Sequence, residues 1–249
     1  MDFLRKTLIV IPARLSSTRL EEKVLKIIHG REIIVWVAQR IATLGIDYVI
    51  AIDDMKIAKV LQSYELPYVL TSNDHISGTS RVSEVAELMP EFDFYCSVQG
   101  DEPLIDPAEV LNFVNRGEEI SADYINAVCN FSQLENPTDE SNVKAIISSS
   151  GRLIYASRAK IPFTKNTNNF EYMQICGLYF FSRKFILEYK NLPASKLEDV
   201  EKIEQLRCLE QDIPIDTYKI NGEMLSVDTE EDFKKIESLE KERFTLSIL

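Results

Sequence analysis

Two segments of this 249-residue chain carry side chains suited to phosphate chemistry. Pro12-Ala13-Arg14-Leu15-Ser16-Ser17-Thr18-Arg19-Leu20-Glu21-Glu22-Lys23 places three cations and three hydroxyls directly after the apolar run Leu8 to Ile11. Cations there offset triphosphate charge, and the backbone N–H groups of a tight turn cradle phosphate oxygens. A solvated polar loop is the other reading these residues allow. Val98-Gln99-Gly100-Asp101-Glu102-Pro103 supplies a hard carboxylate oxygen at Asp101, the ligand type that suits Mg2+ shared with substrate phosphates. Asp228, in Ser226-Val227-Asp228-Thr229, offers a second carboxylate, or else the N-cap of the last helix.

Other groups suit an acidic, hydroxylated partner. Ser77-Gly78-Thr79-Ser80-Arg81 stands before a helical pattern, where amides and hydroxyls favour an anion and the Arg81 guanidinium fits a carboxylate bidentately. Capping without a ligand is the alternative. Glu204 and Gln205 precede an inward-facing Leu206 on an amphipathic stretch and can reach sugar hydroxyls, although by itself this is ordinary helix sequence.

For these groups to meet, the fold must bring them to one edge of a sheet, and the hydrophobic pattern describes such a fold. The apolar run Leu8 to Ile11, ended by Pro12, reads as a buried parallel strand, and Ile33, Ile34, Val37, Ala38, Ile41 and Leu44 recur at helical spacing before Gly45. Strands over 48–52, 68–70 and 92–98 alternate with helices over 57–64, 80–89 and 107–116, as βαβ units require. From Ile125 to Tyr189 short β runs dominate, at 127–129, 143–147, 153–155 and 175–181, and predict a more antiparallel part. Helical spacing returns from Leu197 to Leu209, and a last helix runs from Glu230 to about Arg243. The expectation is one α/β domain over 1–249, with a mostly parallel central sheet flanked by helices. In open sheets of this kind, ligands bind at the carboxyl ends of the strands.

Composition narrows the function. A formal charge of −12 repels a nucleic acid backbone, so any phosphate site needs local cations, a metal, or both. Neither G-x-x-x-x-G-K-[ST] nor G-x-G-x-x-G occurs, which argues against a P-loop NTPase and a standard dinucleotide-binding dehydrogenase. Cys96, Cys129, Cys176 and Cys208 lie far apart with only His29 and His75 beside them, so buried thiols are expected rather than zinc ligands or disulfides. The N-terminal apolar run is too short for a signal peptide or membrane span, and a cytoplasmic protein is expected.

Taken in order, the motifs resemble the 3-deoxy-manno-octulosonate (Kdo) cytidylyltransferases of lipopolysaccharide synthesis. The likeness spans nearly the whole chain, through Ile11-Pro12-Ala13-Arg14, Ser17-Thr18-Arg19, Lys23, Asp74-His75, Ser77-Gly78-Thr79, Arg81, Val98 to Pro103 and Asn142-Val143-Lys144. It continues in Tyr155 to Pro162, Gly177-Leu178-Tyr179, Leu197-Glu198-Asp199, Glu204 to Arg207 and Val227 to Asp232. The resemblance implies a nucleotide-diphospho-sugar transferase type of fold and a homodimer joined through a β-rich region at about 125–189. It implies that Pro12, Ala13, Arg14, Arg19, Lys23, Ser77, Gly78, Thr79 and Gln99 hold CTP. By the same carry-over Asp101 and Asp228 bind Mg2+ and act in catalysis with Lys23 and Arg14. Arg81, Gln99, Tyr179, Glu204 and Gln205 would face an acidic 3-deoxy-2-ulosonic sugar.

The chain departs from the family pattern at three places. Glu21-Glu22 replaces a usual Pro-Gly, Ser80 replaces an acidic residue, and Ile175 replaces a common histidine. Two negative charges beside the phosphate loop would weaken or reshape CTP binding, and the change at Ile175 would mean a modified sugar or an altered activity. These departures leave open a cytidylyltransferase for 8-amino-Kdo or another 2-keto-3-deoxy acidic sugar, and a non-catalytic nucleotide-binding relative.

Overall fold

The computed structural model describes residues 6–17, 19–131, 136–165, 170–222 and 224–244; Thr18, expected in the phosphate loop, lies outside them. Along the chain come β1 (Thr7–Ala13), β2 (Ile27–Ile28), β3 (Arg31–Glu32), α1 (Ile33–Ala42), β4 (Tyr48–Ile52), α2 (Met55–Ser63) and β5 (Tyr68–Leu70). There follow α3 (Gly78–Leu88), β6 (Phe94–Val98), α4 (Pro107–Ile120), β7 (Tyr124–Asn130), β8 (Lys144–Ile147), β9 (Leu153–Ser157) and β10 (Met173–Ser182). The chain closes with α5 (Arg183–Tyr189), α6 (Lys196–Glu201), α7 (Gln205–Leu209), β11 (Asp216–Lys219) and α8 (Glu230–Glu237).

The central sheet has the order β11-β7-β10-β6-β1-β4-β5, with β8 and β9 attached at β10. β1 pairs in parallel with β4 and β6, and β4 with β5, so their carboxyl ends share one edge. β10 runs antiparallel to β6 and β7, which gives the β-rich stretch its expected character. Alternation along β1 sorts the core: Ile9 and Ile11 face α1, α2 and α4, whereas Leu8 and Val10 face the side of α3 and α5. A third cluster, with Leu20, Trp36, Val227 and Phe244, seals the chain's end against α1.

β1 continues through Pro12 rather than ending there. Ile9 N–H bonds Asp47 O on the β4 side, so by alternation Pro12 turns its missing donor toward β6, whose pairing has already ended at Val10 with Ser97. α4 likewise runs past the expected Arg116, because Gly117 leaves room for the Phe180 ring; an added Cβ would meet it at 2.6 Å. The stretch from Leu197 to Leu209 is two helices, broken at Lys202 with φ 54°, and Val200, in the apolar register, is 82% exposed. The last helix stops at Glu237, before a separate 3-10 turn at Lys241–Phe244. Sequence patterning missed the short hairpin β2–β3, turned by His29 (φ 50°) and Gly30 (φ 86°), and also α5 and β11.

Candidate active site

The carboxyl ends of β1 and β6, the start of α3, the segment around α6 and α7, and the irregularity of β10 around Gly177 enclose a cavity of about 850 Å3. Its walls include every residue singled out above as a candidate except Thr79.

At one end the groups are ionic. Lys23, opening a 3-10 turn, sets its Nζ between Asp101 Oδ2, which it contacts directly, and Asp228 Oδ1 at 2.9 Å. Arg19 Nη2 reaches the same Asp228 oxygen at 3.1 Å. The register of the two carboxylates is fixed by the backbone: Val227 N–H donates to Asp101 O at 2.9 Å. Asp228 is not the N-cap of α8, because Thr229 takes that role in a capping box with Asp232. Burial pushes the Lys23 ammonium down, but Asp101 and Asp228 outweigh it and hold the group above its ordinary value. Burial likewise opposes ionisation of Asp228, yet Lys23, Arg19 and Arg158 keep it below the usual range.

These two carboxylates converge on one cationic centre, a donor set of hard oxygens that fits a divalent cation. Among the described residues no group of three or more His, Cys, Asp or Glu side chains could hold a metal. A cation here would complete its shell with water and phosphate oxygens, as small hard cations do.

In the middle of the cavity, β6 and β10 approach closely. Gln99 N–H donates to Gly177 O at 3.0 Å, and Gly177 N–H donates to Glu102 Oε1 at 3.2 Å. A Cβ on Gly177 would lie 2.4 Å from that Glu102 oxygen and 2.5 Å from Gln99 Cγ, so only glycine fits. Glu102 Oε2 is buried with no partner among the described residues. Burial, with the Asp101 charge next in size, raises the Glu102 carboxyl well above its usual range.

The far end is neutral and hydrogen-bonded. Glu204 Oε1 accepts from Thr79 Oγ1 at 2.7 Å, while its Oε2 is buried without a partner among the described residues. Burial raises the Glu204 carboxyl, partly offset by hydrogen bonds from Thr79 and Ser77. Gln205 Nε2 donates to Asn126 Oδ1 at 2.8 Å, and burial holds the neighbouring Tyr179 phenol neutral, well above its ordinary value. Arg81 borders this end with its guanidinium already engaged: Nη2 lies 3.0 Å from Asp53 Oδ2, and Nη1 donates to Thr71 Oγ1.

The model of the cytidylyltransferase family matches residues 8–220. A 3-deoxy-manno-octulosonate cytidylyltransferase of Fusobacterium nucleatum is 35% identical, covering 95% of this chain and 98% of its own. The enzyme of the same name from Leptospira interrogans serogroup Icterohaemorrhagiae serovar Lai is 37% identical over 93% of this chain and 98% of its own. The chain belongs to the 3-deoxy-manno-octulosonate cytidylyltransferase family. The solved structure of a CMP:2-keto-3-deoxy-manno-octonic acid synthetase complexed with CTP superposes with a TM-score of 0.86 at 32% identity. That match covers 94% of this chain and 97% of the other.

In this cytidylyltransferase the tertiary fold also supplies residues that sequence patterning passed over. Asp53, at the carboxyl end of β4, accepts from Leu15 N–H at 2.9 Å and pairs with Arg81, tying the basic loop after β1 to α3. Asn126 orients Gln205, and Glu198 holds Arg207 bidentately at 2.6 and 2.9 Å, joining α6 to α7. Asp53 alone had a sequence signal, a carboxylate directly after a buried strand. Thr79 is a support beneath Glu204 rather than a wall residue.

The departures from the family pattern have structural answers. Glu21 and Glu22 do not border the main cavity but line a smaller one shared with Arg14 and Ser17, and Glu22 forms an ion pair with Lys56. Ser80 closes a capping box with Ser77 at the start of α3, the task an acidic residue performs elsewhere. Ile175 does stand in the cavity wall, with its N–H bonded to Val143 O at 2.9 Å. All four cysteines are buried, as expected. Among the described residues no helix is long and apolar enough to cross a membrane.

Proposed function

We propose that this enzyme transfers CMP from CTP to the anomeric hydroxyl of Kdo in lipopolysaccharide synthesis, releasing pyrophosphate, with Mg2+ as cofactor. The observation that carries this reading is a single cavity with cations and paired carboxylates at one end and neutral hydrogen-bonding groups at the other. The names of the relatives and the CTP-bound neighbour support the same substrates.

The roles follow from charge. The anomeric oxygen forms a bond to the α-phosphorus, the bond to the α–β bridging oxygen breaks, its electron pair leaves with pyrophosphate, and the hydroxyl proton passes to solvent. Arg14, Arg19 and Lys23 offset charge on the triphosphate and the departing oxygens. Pro12, Ala13, Ser77 and Gly78 shape the nucleotide side, Thr79 backs it, and Gln99 stands between nucleotide and sugar. Glu204, Gln205 and Tyr179 hold the sugar hydroxyls, and Arg81 attracts its carboxylate from beside Asp53. Held by Asp101 and Asp228, Mg2+ would neutralise phosphate charge and lower the pKa of the attacking hydroxyl.

A cytoplasmic homodimer of one domain per chain belongs to the same proposal. Ile154, Phe163 and Phe170 expose apolar surface on the 125–189 region, which supports a contact between copies there. Light scattering checks it, and a monomer at working concentration would refute it. The activity is tested by pyrophosphate release from CTP, UTP, GTP and ATP against Kdo, 8-amino-Kdo and sialic-type acids. Turnover is expected with CTP and Kdo; turnover only with another sugar would move the acceptor assignment.

A further inference from the structure

Lys23 occupies the place where the paired carboxylates would receive a metal. Its ammonium touches Asp101 and lies 2.9 Å from Asp228, on a side chain that is only 14% exposed. Without a cation between them, two part-buried carboxylates would repel each other and lose solvation with no return. Lys23 removes that cost in the free chain. A divalent cation cannot join the pair while the ammonium remains, because the two positive centres would share the same few ångströms.

The ammonium also has somewhere to go. It sits on a flexible four-carbon stem on the cavity wall that carries Arg14 and Arg19, within reach of anionic oxygens brought to that end. Arg19 does not share this position: among the described residues its ion pair is with Asp228 alone, from a side chain that is half exposed.

We propose that Lys23 is a displaceable counter-ion that sets the order of binding: it closes the carboxylate pair in the free enzyme and is drawn off by a polyphosphate, so that the divalent cation enters with the nucleotide rather than before it. This rests on the reading that Asp101 and Asp228 take the cation and the basic loop takes the triphosphate. Because linkage is reciprocal, nucleotide tightens the cation and the cation tightens nucleotide by the same factor.

The test titrates Mn2+ by electron paramagnetic resonance, with and without a non-hydrolysable CTP analogue, on wild type, Lys23→Met, Arg19→Gln and Asp101→Asn. Wild type is expected to bind Mn2+ weakly alone and about tenfold or more tightly with the analogue, within the usual range of such couplings. Lys23→Met is expected to bind tightly without nucleotide and to gain little from it. Arg19→Gln should gain much less than Lys23→Met, since it removes charge without opening the position.

Equal gains in those two variants, or a nucleotide-free Lys23→Met no tighter than wild type, would overturn the proposal while leaving the metal site intact. Absence of Asp101-dependent Mn2+ binding in every sample would overturn the metal reading itself. Should Lys23→Met fail to fold, Lys23→Gln keeps a polar contact without the charge. The melting temperature of wild type decides independently: Mn2+ should raise it with the analogue present and hardly at all without, and a full rise from Mn2+ alone contradicts displacement.

Discussion

The two ends of the cavity solve opposite electrostatic problems. Around Lys23, Asp101, Asp228 and Arg19 each side chain meets one of opposite charge, and the pairing lowers Asp228 and raises Lys23. Around Glu204, Tyr179 and Gln205 the nearby cations Arg81 and Arg207 are already engaged by Asp53 and Glu198, and burial raises the acidic groups instead. The ionic end can therefore exchange one charged partner for another, while the neutral end can only donate and accept hydrogen bonds. A substrate with a polyphosphate at one terminus and hydroxyls at the other matches both.

The contrast has a consequence in pH. Asp228 ionises more readily in the folded chain than in the unfolded one, so its contribution is present above the usual aspartate range and is lost as pH falls through it. Glu204 is raised, so the folded chain binds the extra proton. Its contribution is complete below the usual glutamate value and declines as pH rises toward the folded one.

The most damaging way to break the ionic end is Asp101→Asn. Pyrophosphate release should fall by about 10²–10³-fold, the loss typical of removing one electrostatic contact to the transition state, with circular dichroism unchanged. Gly177→Ala attacks the seam between the ends, since the new methyl would overlap Glu102 and Gln99. A loss of about 1–3 kcal/mol in stability is expected from urea unfolding, with higher KM for both substrates.

Glu204→Gln sharpens the contrast at the neutral end. The variant cannot ionise, so at pH 8 it should melt about 2–4 °C above wild type, the effect of ~1 kcal/mol in a chain of this size. By about pH 4, below the ordinary glutamate value, the difference should close. A difference that grows on acidification would show that Glu204 is held charged. The smallest effect is expected outside both ends, at Glu22→Gly. Glu22 has φ 48°, a left-handed conformation that costs a residue with a side chain about 1 kcal/mol, and its exposed pair with Lys56 contributes little. The urea midpoint should rise slightly with CTP turnover unchanged.

The sequence by itself determined the parallel strands, the helices between them and the edge where the site lies. Alternating apolar residues in β1 and helical spacing from Ile33 to Ile41 are local patterns, and the carboxylate after Val98 follows from them. Order alone also carried the family resemblance. Tertiary structure decided what depends on distant partners: Thr229, not Asp228, caps α8 because Asp228 faces Lys23 across the cavity. It broke the regular helical spacing of 197–209 at Lys202, leaving Glu204 at the start of a separate helix and hydrogen-bonded by Thr79. It also turned Arg81 onto Asp53 and paired Glu22 with Lys56. Periodicity reports which face of an element is buried, but whether a charged side chain stands free or paired depends on what folds against it.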